Sequence, residues 1–227
     1  ALARNFGAGL AEGKYLAFLD ADDMFDGKFL QKAVEVLERY KNVHFVTGWL
    51  SYFGNSSGGW AAFNPEPPFF LVHNMVSCAI VVDKNSFSKF GQNDPNLIYG
   101  MEDWDMAMSL VANGCKGVVL PEFLIRYRVR KTSMTRGFTD AKRLFSFKYI
   151  ARKHKRFYAQ YADEVAHLLN ANGPGIYTDN PSKGAPGHHS VAILGVKIPI
   201  GQKLKEFVQS RKTLFKVVYP VYHFFKR

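Results

Sequence analysis

Apolar residues recur along the chain in two alternating rhythms, one of helical period and one of short continuous runs bounded by turn residues. Leu2, Phe6 and Leu10 fall on one helical face and predict a helix over 1–12, stopped at Gly13. The apolar run 14–19 predicts a buried strand. Asp26 is read as the cap of a second helix, in which Phe29, Leu30, Ala33, Val34 and Leu37 repeat at helical spacing as far as Tyr40. A strand over 43–52, a Gly/Ser/Asn loop over 54–59, a proline-rich irregular stretch over 64–70 and a strand over 77–82 follow. The polar stretch 91–100 leads into a helix opening at Met101-Glu102-Asp103-Trp104-Asp105 and closed by Gly114. Short strands are expected over 117–120 and 123–129, the second carrying Arg126, Arg128 and Arg130 on alternate positions and so on one face. This alternation predicts an α/β domain.

Beyond it the rhythm becomes helical and the charge changes sign. One or two helices are expected over 138–170, with Leu144, Phe147, Ile150, Val165, Leu168 and Leu169 as apolar positions. Residues 1–125 carry 9 Lys/Arg against 14 Asp/Glu, whereas residues 126–227 carry 21 against 5. A basic half attracts polyanions: nucleic acid, anionic lipid or phosphorylated substrates. The expected division is a catalytic core over 1–136, a helical extension over 137–171, a loop or linker over 172–190 and a basic amphipathic segment over 191–227. Residues 203–227 hold seven Lys/Arg against one Glu, interleaved with Leu204, Phe207, Leu214, Phe215 and Tyr222. Such a segment either lies in a membrane interface or packs as a docking helix on the core.

No apolar run reaches the roughly 18 to 20 residues that span a bilayer, and no secretion leader is expected. The expected location is cytoplasmic, with peripheral contact at the inner face of an anionic membrane. Cys78 and Cys115 sit in apolar surroundings without metal-ligand spacing and read as reduced, buried thiols. No zinc-finger, RNP or helix-turn-helix signature occurs, so nucleic acid is not an expected partner, and a non-catalytic basic binding module is the weaker alternative.

The chemistry concentrates where the first strand ends, at Asp20-Ala21-Asp22-Asp23. Acids delivered to the edge of an open α/β sheet suit a hard divalent cation, Mg²⁺ or Mn²⁺, held together with substrate phosphates. An acidic turn and cap fits the same residues. A calcium EF-hand does not, because Met24 and Phe25 stand where it needs an oxygen ligand and a glycine. A phosphotransferase using Asp20 as nucleophile is a further alternative.

Ala3-Arg4-Asn5-x-Gly7, the passage into Asp20-Ala21-Asp22-Asp23, Gly100-Met101-Glu102-Asp103-Trp104-Asp105, and Tyr127-Arg128 with Ser133 together resemble the inverting family 2 glycosyltransferases, over residues 1 to about 136. The resemblance implies a GT-A-like, Rossmann-like mixed sheet flanked by helices, with a helical basic C-terminal extension. It implies a nucleotide-sugar donor, a glycan or lipid-linked acceptor, and a metal at Asp22 with Asp20. Asp103 would be the general base, Glu102 the alternative, and Arg4, Asp20, Arg128 and Arg130 the donor-diphosphate contacts.

Two departures stand out. Arg130 occupies the place where many relatives carry a histidine able to join the metal site, and a guanidinium cannot ligate a cation. The family's opening strands are also absent, and the chain begins at Ala1, so an N-terminally truncated domain is expected.

Overall fold

The computed structural model describes residues 1–132, 137–172, 189–193 and 196–200. They fall in two compact units, Ala1–Ser182 and Lys183–Arg227. In chain order the first unit contains α1 (Leu2–Leu10), β1 (Tyr15–Phe18), β2 (Met24–Phe25), α2 (Phe29–Arg39), β3 (Val43–Gly54) and β4 (Gly59–Trp60). These are followed by α3 (Phe69–Val72), β5 (Ile80–Asp83), α4 (Lys84–Phe90), α5 (Glu102–Ala112) and β6 (Lys116–Val129), then α6 (Asp140–Lys153), α7 (Lys155–Gln160) and α8 (Ala162–Asn172). The second unit contains a hairpin of β7 (His189–Ile193) and β8 (Val196–Ile200).

The main sheet runs β1-β5-β3-β6-β2, with β4 paired to β3. Only the β3–β6 ladder is parallel; the others are antiparallel, which gives the expected mixed sheet. Alternation along each strand sends neighbouring side chains to opposite faces. Phe45, Ile80 and Val82 join Phe70, Phe87, Trp104 and Leu110 on one side, while Val46, Val81 and Ile125 join Phe29, Ala33 and Leu37 on the other. β3 has four consecutive buried positions, Phe45 to Gly48, and β5 three, Ile80 to Val82, as suits strands covered on both faces.

Several expectations change. β6 is one strand where two were expected. Its ladder with β3 steps from the Gly48–Leu120 pair to the Trp49–Phe123 pair, so a bulge absorbs Pro121 and Glu122 without ending the strand. Asp26 does not cap α2. Its Oδ1 accepts from Lys28 N at 3.0 Å in a turn before the helix, which starts at Phe29. In α1, Leu2, Phe6 and Leu10 are exposed, while Ala8 is buried and Arg4 and Asn5 partly so. The 138–170 stretch is three helices, broken at His154 and Tyr161. Residues 189–193 and 196–200 pair as a hairpin where the linker and amphipathic segment were expected to meet. The basic stretch 203–227, and Ser133, lie outside the described residues.

One charged network fixes α6 against α5. Asp105, fully buried, accepts from Lys153 Nζ at 2.7 Å and lies 2.8 Å from His154 Nε2, and Lys153 also reaches Asp94 at 2.9 Å. Among the described residues no helix is long and apolar enough to cross a membrane.

The tightest backbone approach is at Gly117, where a Cβ would lie 2.3 Å from the buried Phe45 ring and 2.8 Å from Pro65. Gly117→Ala should therefore destabilise the domain by about 1–3 kcal/mol or more through overpacking, measured as a shift in urea midpoint at unchanged slope.

Candidate active site

The site forms where the end of β1 meets the start of α5. β1 pairs with β5 on one side of the sheet and releases the chain at Asp20. α1 lays Arg4 across this point. Arg4 Nη2 donates to Asp20 Oδ1 at 2.6 Å, and Nη1 donates to Glu102 Oε1 at 3.0 Å. One guanidinium fork thus joins the two acidic motifs. Asn5 holds α1 in place: its side chain donates to Asn93 O at 2.8 Å and accepts from Asn93 N at 2.9 Å.

The corner carrying Glu102 and Asp103 is strained. Gly100 has φ of +113° and Met101 of +73°, and Met101 is the one positive-φ non-glycine among the described residues. Ser146 Oγ in α6 donates to Gly100 O at 3.1 Å, and Trp104 Nε1 donates to Phe70 O at 3.0 Å, so the corner is gripped from both sides. Asp103 Oδ1 accepts from Trp104 N at 2.7 Å.

The Asp22-Asp23 loop is tied to β6. Asp23, buried, accepts from Arg128 N at 2.8 Å, and Arg128 Nε donates to Asp22 O at 3.0 Å. Arg130 Nε lies 2.9 Å from Asp22 Oδ2. Arg126 and Arg128 both lie over the Phe53 ring, at 5.0 and 4.4 Å, on the one face that their alternation predicted.

These surroundings separate acids that look alike in sequence. Burial, reinforced by the charge of Glu102, pushes Asp103 up to about 7 despite the Trp104 N–H. Burial also raises Asp23, to about 6, aided by the charges of Asp22 and Asp20 and opposed by the Arg128 N–H. Burial acts in the same direction on Asp20, but hydrogen bonds from Arg4 and Cys78 outweigh it and leave Asp20 below the usual carboxylate range. Cys78 is the residue that sequence reasoning misplaced. Its Sγ donates to Asp20 Oδ2 at 3.1 Å, and burial with the charges of Asp20 and Asp103 keeps the thiol protonated. Only its position two residues before the strand β5, which pairs with β1, hinted at this.

All seven residues singled out from the sequence, Arg4, Asp20, Asp22, Glu102, Asp103, Arg128 and Arg130, lie in this region, though in different partnerships. Arg4 is held by two carboxylates. Asp20 places one oxygen on Arg4 and the other on Cys78, while Asp22 faces Arg130. Among the described residues no three His, Cys, Asp or Glu side chains gather as a ready-made metal cage. The donor set nevertheless fits a hard ion held by one or two carboxylates and completed by substrate phosphates, the usual pattern for Mg²⁺.

The profile of glycosyl transferase family 2 matches residues 1–90, so the resemblance read from the motifs is borne out there; the match ends before Glu102. A protein named as an uncharacterized glycosyltransferase of Methanocaldococcus jannaschii is 26% identical over 171 residues, covering 72% of this chain and 58% of its own length. In fold the chain resembles S. aureus TarS, crystallised in complex with UDP-GlcNAc, with a TM-score of 0.50 and 16% identity over 65% of this chain and 44% of that one. The GT-A-like architecture expected from the sequence is therefore present. The chain spans less than two thirds of the length of either relative.

Arg4→Met should destabilise the domain at neutral pH by about 1–2 kcal/mol, a modest value because Asp20 keeps 41% of its side chain exposed. Asp20 titrates below its ordinary value when folded, so its pairing stabilises above the ordinary carboxylate range and is lost as pH falls through the folded value. Unfolding curves of variant and wild type should accordingly converge as pH falls through the folded value of Asp20.

Proposed function

We propose, from the family 2 match over residues 1–90, that this chain is the catalytic part of a glycosyltransferase that moves a sugar from a nucleotide-sugar donor to a hydroxyl of a glycan or lipid-linked acceptor, with inversion. The observation that carries the reading is Arg4 bridging Asp20 and Glu102, which sets a carboxyl of raised pKa, Asp103, beside the acidic loop at the end of β1.

Asp103 in its ionised form takes the proton of the acceptor hydroxyl. The hydroxyl oxygen attacks the anomeric carbon from the face opposite the diphosphate. The new C–O bond forms as the bond to the phosphate oxygen breaks, and the nucleoside diphosphate departs with the electron pair. Asp103 then releases its proton to water. Glu102 is less suited as base because Arg4 holds it. Arg128 and Arg130, on either side of Asp22, are suited to the donor phosphates. Mg²⁺ or Mn²⁺ would be held by Asp22, with Asp20 behind it, and when bound supplies positive charge to the leaving diphosphate. Arg130 pairs with Asp22 where many relatives carry a histidine, and so supplies cationic charge at the same place.

The alternative use of Asp20 as a phosphoryl-accepting nucleophile fits less well. Both of its oxygens are engaged, and its lowered pKa makes it a weak nucleophile.

Nucleoside-diphosphate release by the full-length protein should rise with pH through about 7 as Asp103 ionises, then level off. Asp103→Asn should lower kcat by roughly 10²–10⁴ and leave donor binding intact, whereas Asp22→Asn should weaken donor binding. Turnover unchanged in Asp103→Asn would remove this residue from the mechanism.

A further inference from the structure

We propose that Ser146 is a positioning residue for Asp103: its hydroxyl holds the left-handed entry to α5 and thereby sets where the base stands. The inference rests on the glycosyltransferase reading above and extends it to a residue of α6, which lies beyond the matched residues 1–90.

Asp103 is the second residue of α5, so its direction is set by the backbone that enters the helix. That backbone has positive φ at two consecutive residues, Gly100 and Met101. Met101 is the N-cap, and no side chain caps the helix there. A methionine at φ of +73° carries a cost that glycine would not, and such a conformation persists only where its surroundings hold it. Within the turn, Gly100 N donates to Leu97 O at 3.1 Å and Asp105 N donates to Met101 O at 3.0 Å. Neither bond engages the Gly100 carbonyl. That oxygen accepts from Ser146 Oγ, 46 residues away in sequence, at 3.1 Å.

Ser146 is fully buried. A buried hydroxyl costs free energy unless it is bonded, so a helix that only packed here would be served as well by alanine. A helical serine commonly turns its hydroxyl to a carbonyl of its own preceding turn, whereas this one donates across to the neighbouring corner. The rest of α6 gives that hydroxyl a firm base. Phe147 meets Trp104 edge-on at 5.4 Å, Ile150 is fully buried, and Lys153 and His154 reach Asp105 at 2.7 and 2.8 Å. α6 is therefore docked on the start of α5 by contacts that do not involve Ser146 Oγ. On the far side of Asp103, Trp104 is fixed by both its nitrogens: Nε1 donates to Phe70 O at 3.0 Å, and the backbone N–H donates to Asp103 Oδ1 at 2.7 Å. Asp103 thus stands between a corner pinned by Ser146 and a tryptophan pinned by Phe70. Removing the hydroxyl frees the first point and keeps the second, so the carboxylate shifts while the helix stays docked.

The test compares wild type, Ser146→Ala, Ser146→Cys and Ile150→Val in the full-length protein, with kcat for nucleoside-diphosphate release expressed per folded molecule. Ser146→Ala should lower kcat roughly tenfold to a hundredfold at nearly unchanged donor KM, the scale expected when a reacting group is misplaced by about 1 Å. Ser146→Cys keeps the size and a weak donor, and should fall between wild type and Ser146→Ala. Ile150→Val loosens the packing of α6 one turn away from Gly100; it should lower the urea midpoint and leave kcat per folded molecule unchanged. A kcat loss in Ser146→Ala no greater than in Ile150→Val overturns the proposal, as does a rise in donor KM in place of the kcat loss. A crystal structure of Ser146→Ala reads the same point without any activity: Met101 should leave the left-handed region and the Asp103 carboxylate should move, and an unchanged corner overturns the proposal. If the wild type releases no nucleoside diphosphate from any nucleotide-sugar, the glycosyltransferase reading fails, and the crystal structure alone still decides whether Ser146 holds the corner.

Discussion

One guanidinium, Arg4, bonds two carboxylates that lie 16 and 98 residues away in sequence, and that junction joins the two acidic motifs of the site. Asp20 lies two residues beyond β1, and Glu102 begins the helix α5. Without a cation between them, two acids at the ends of separate elements would repel across a partly desolvated gap. With Arg4 there, the loop that follows β1 and the corner that precedes α5 become parts of one structure. The constraint extends backward through α1, which Asn5 fixes to the chain at Asn93, and forward through Gly100 and Met101, whose left-handed backbone is held down by Ser146.

The same junction divides labour among neighbouring carboxylates. Asp20 is paired and stays ionised. Asp23 is consumed in fastening its loop to β6 through the Arg128 N–H. Asp22 is left facing Arg130 at the mouth of the site. Asp103 is desolvated beside a like charge and sits near neutrality, where a carboxyl serves as a proton acceptor. Four acids of nearly equal intrinsic strength are thus set apart through surroundings alone: Asp20 paired with Arg4, Asp23 fastened to β6, Asp22 facing Arg130 and Asp103 desolvated.

Much of this was legible in the sequence. The acid-rich end of an apolar run and the acidic start of a helix were visible as patterns, and continuous apolar runs located β3 and β5, whose consecutive central positions are buried. What was not legible depended on distance in space. That Arg4 serves Asp20 and Glu102 could not be read from spacing, and its sequence-level role was phosphate binding. Cys78 looked like a core thiol because its neighbours in sequence are apolar, yet its neighbour in space is Asp20. Asp26 looked like a helix cap because capping chemistry is local, but the chain makes a turn there first. β6 looked like two strands because Pro121 ordinarily ends one, and only its long parallel partner β3 explains why it continues.

The most direct test of the Arg4 junction is a double-mutant cycle on stability with Asp20→Asn and Glu102→Gln. Because both carboxylates share one guanidinium, the two changes should be non-additive, with an interaction energy of about 0.5–1 kcal/mol or more in urea unfolding at neutral pH. Additivity to within about 0.3 kcal/mol would mean that the two acidic motifs are independent, and the account of a single joined site would be wrong.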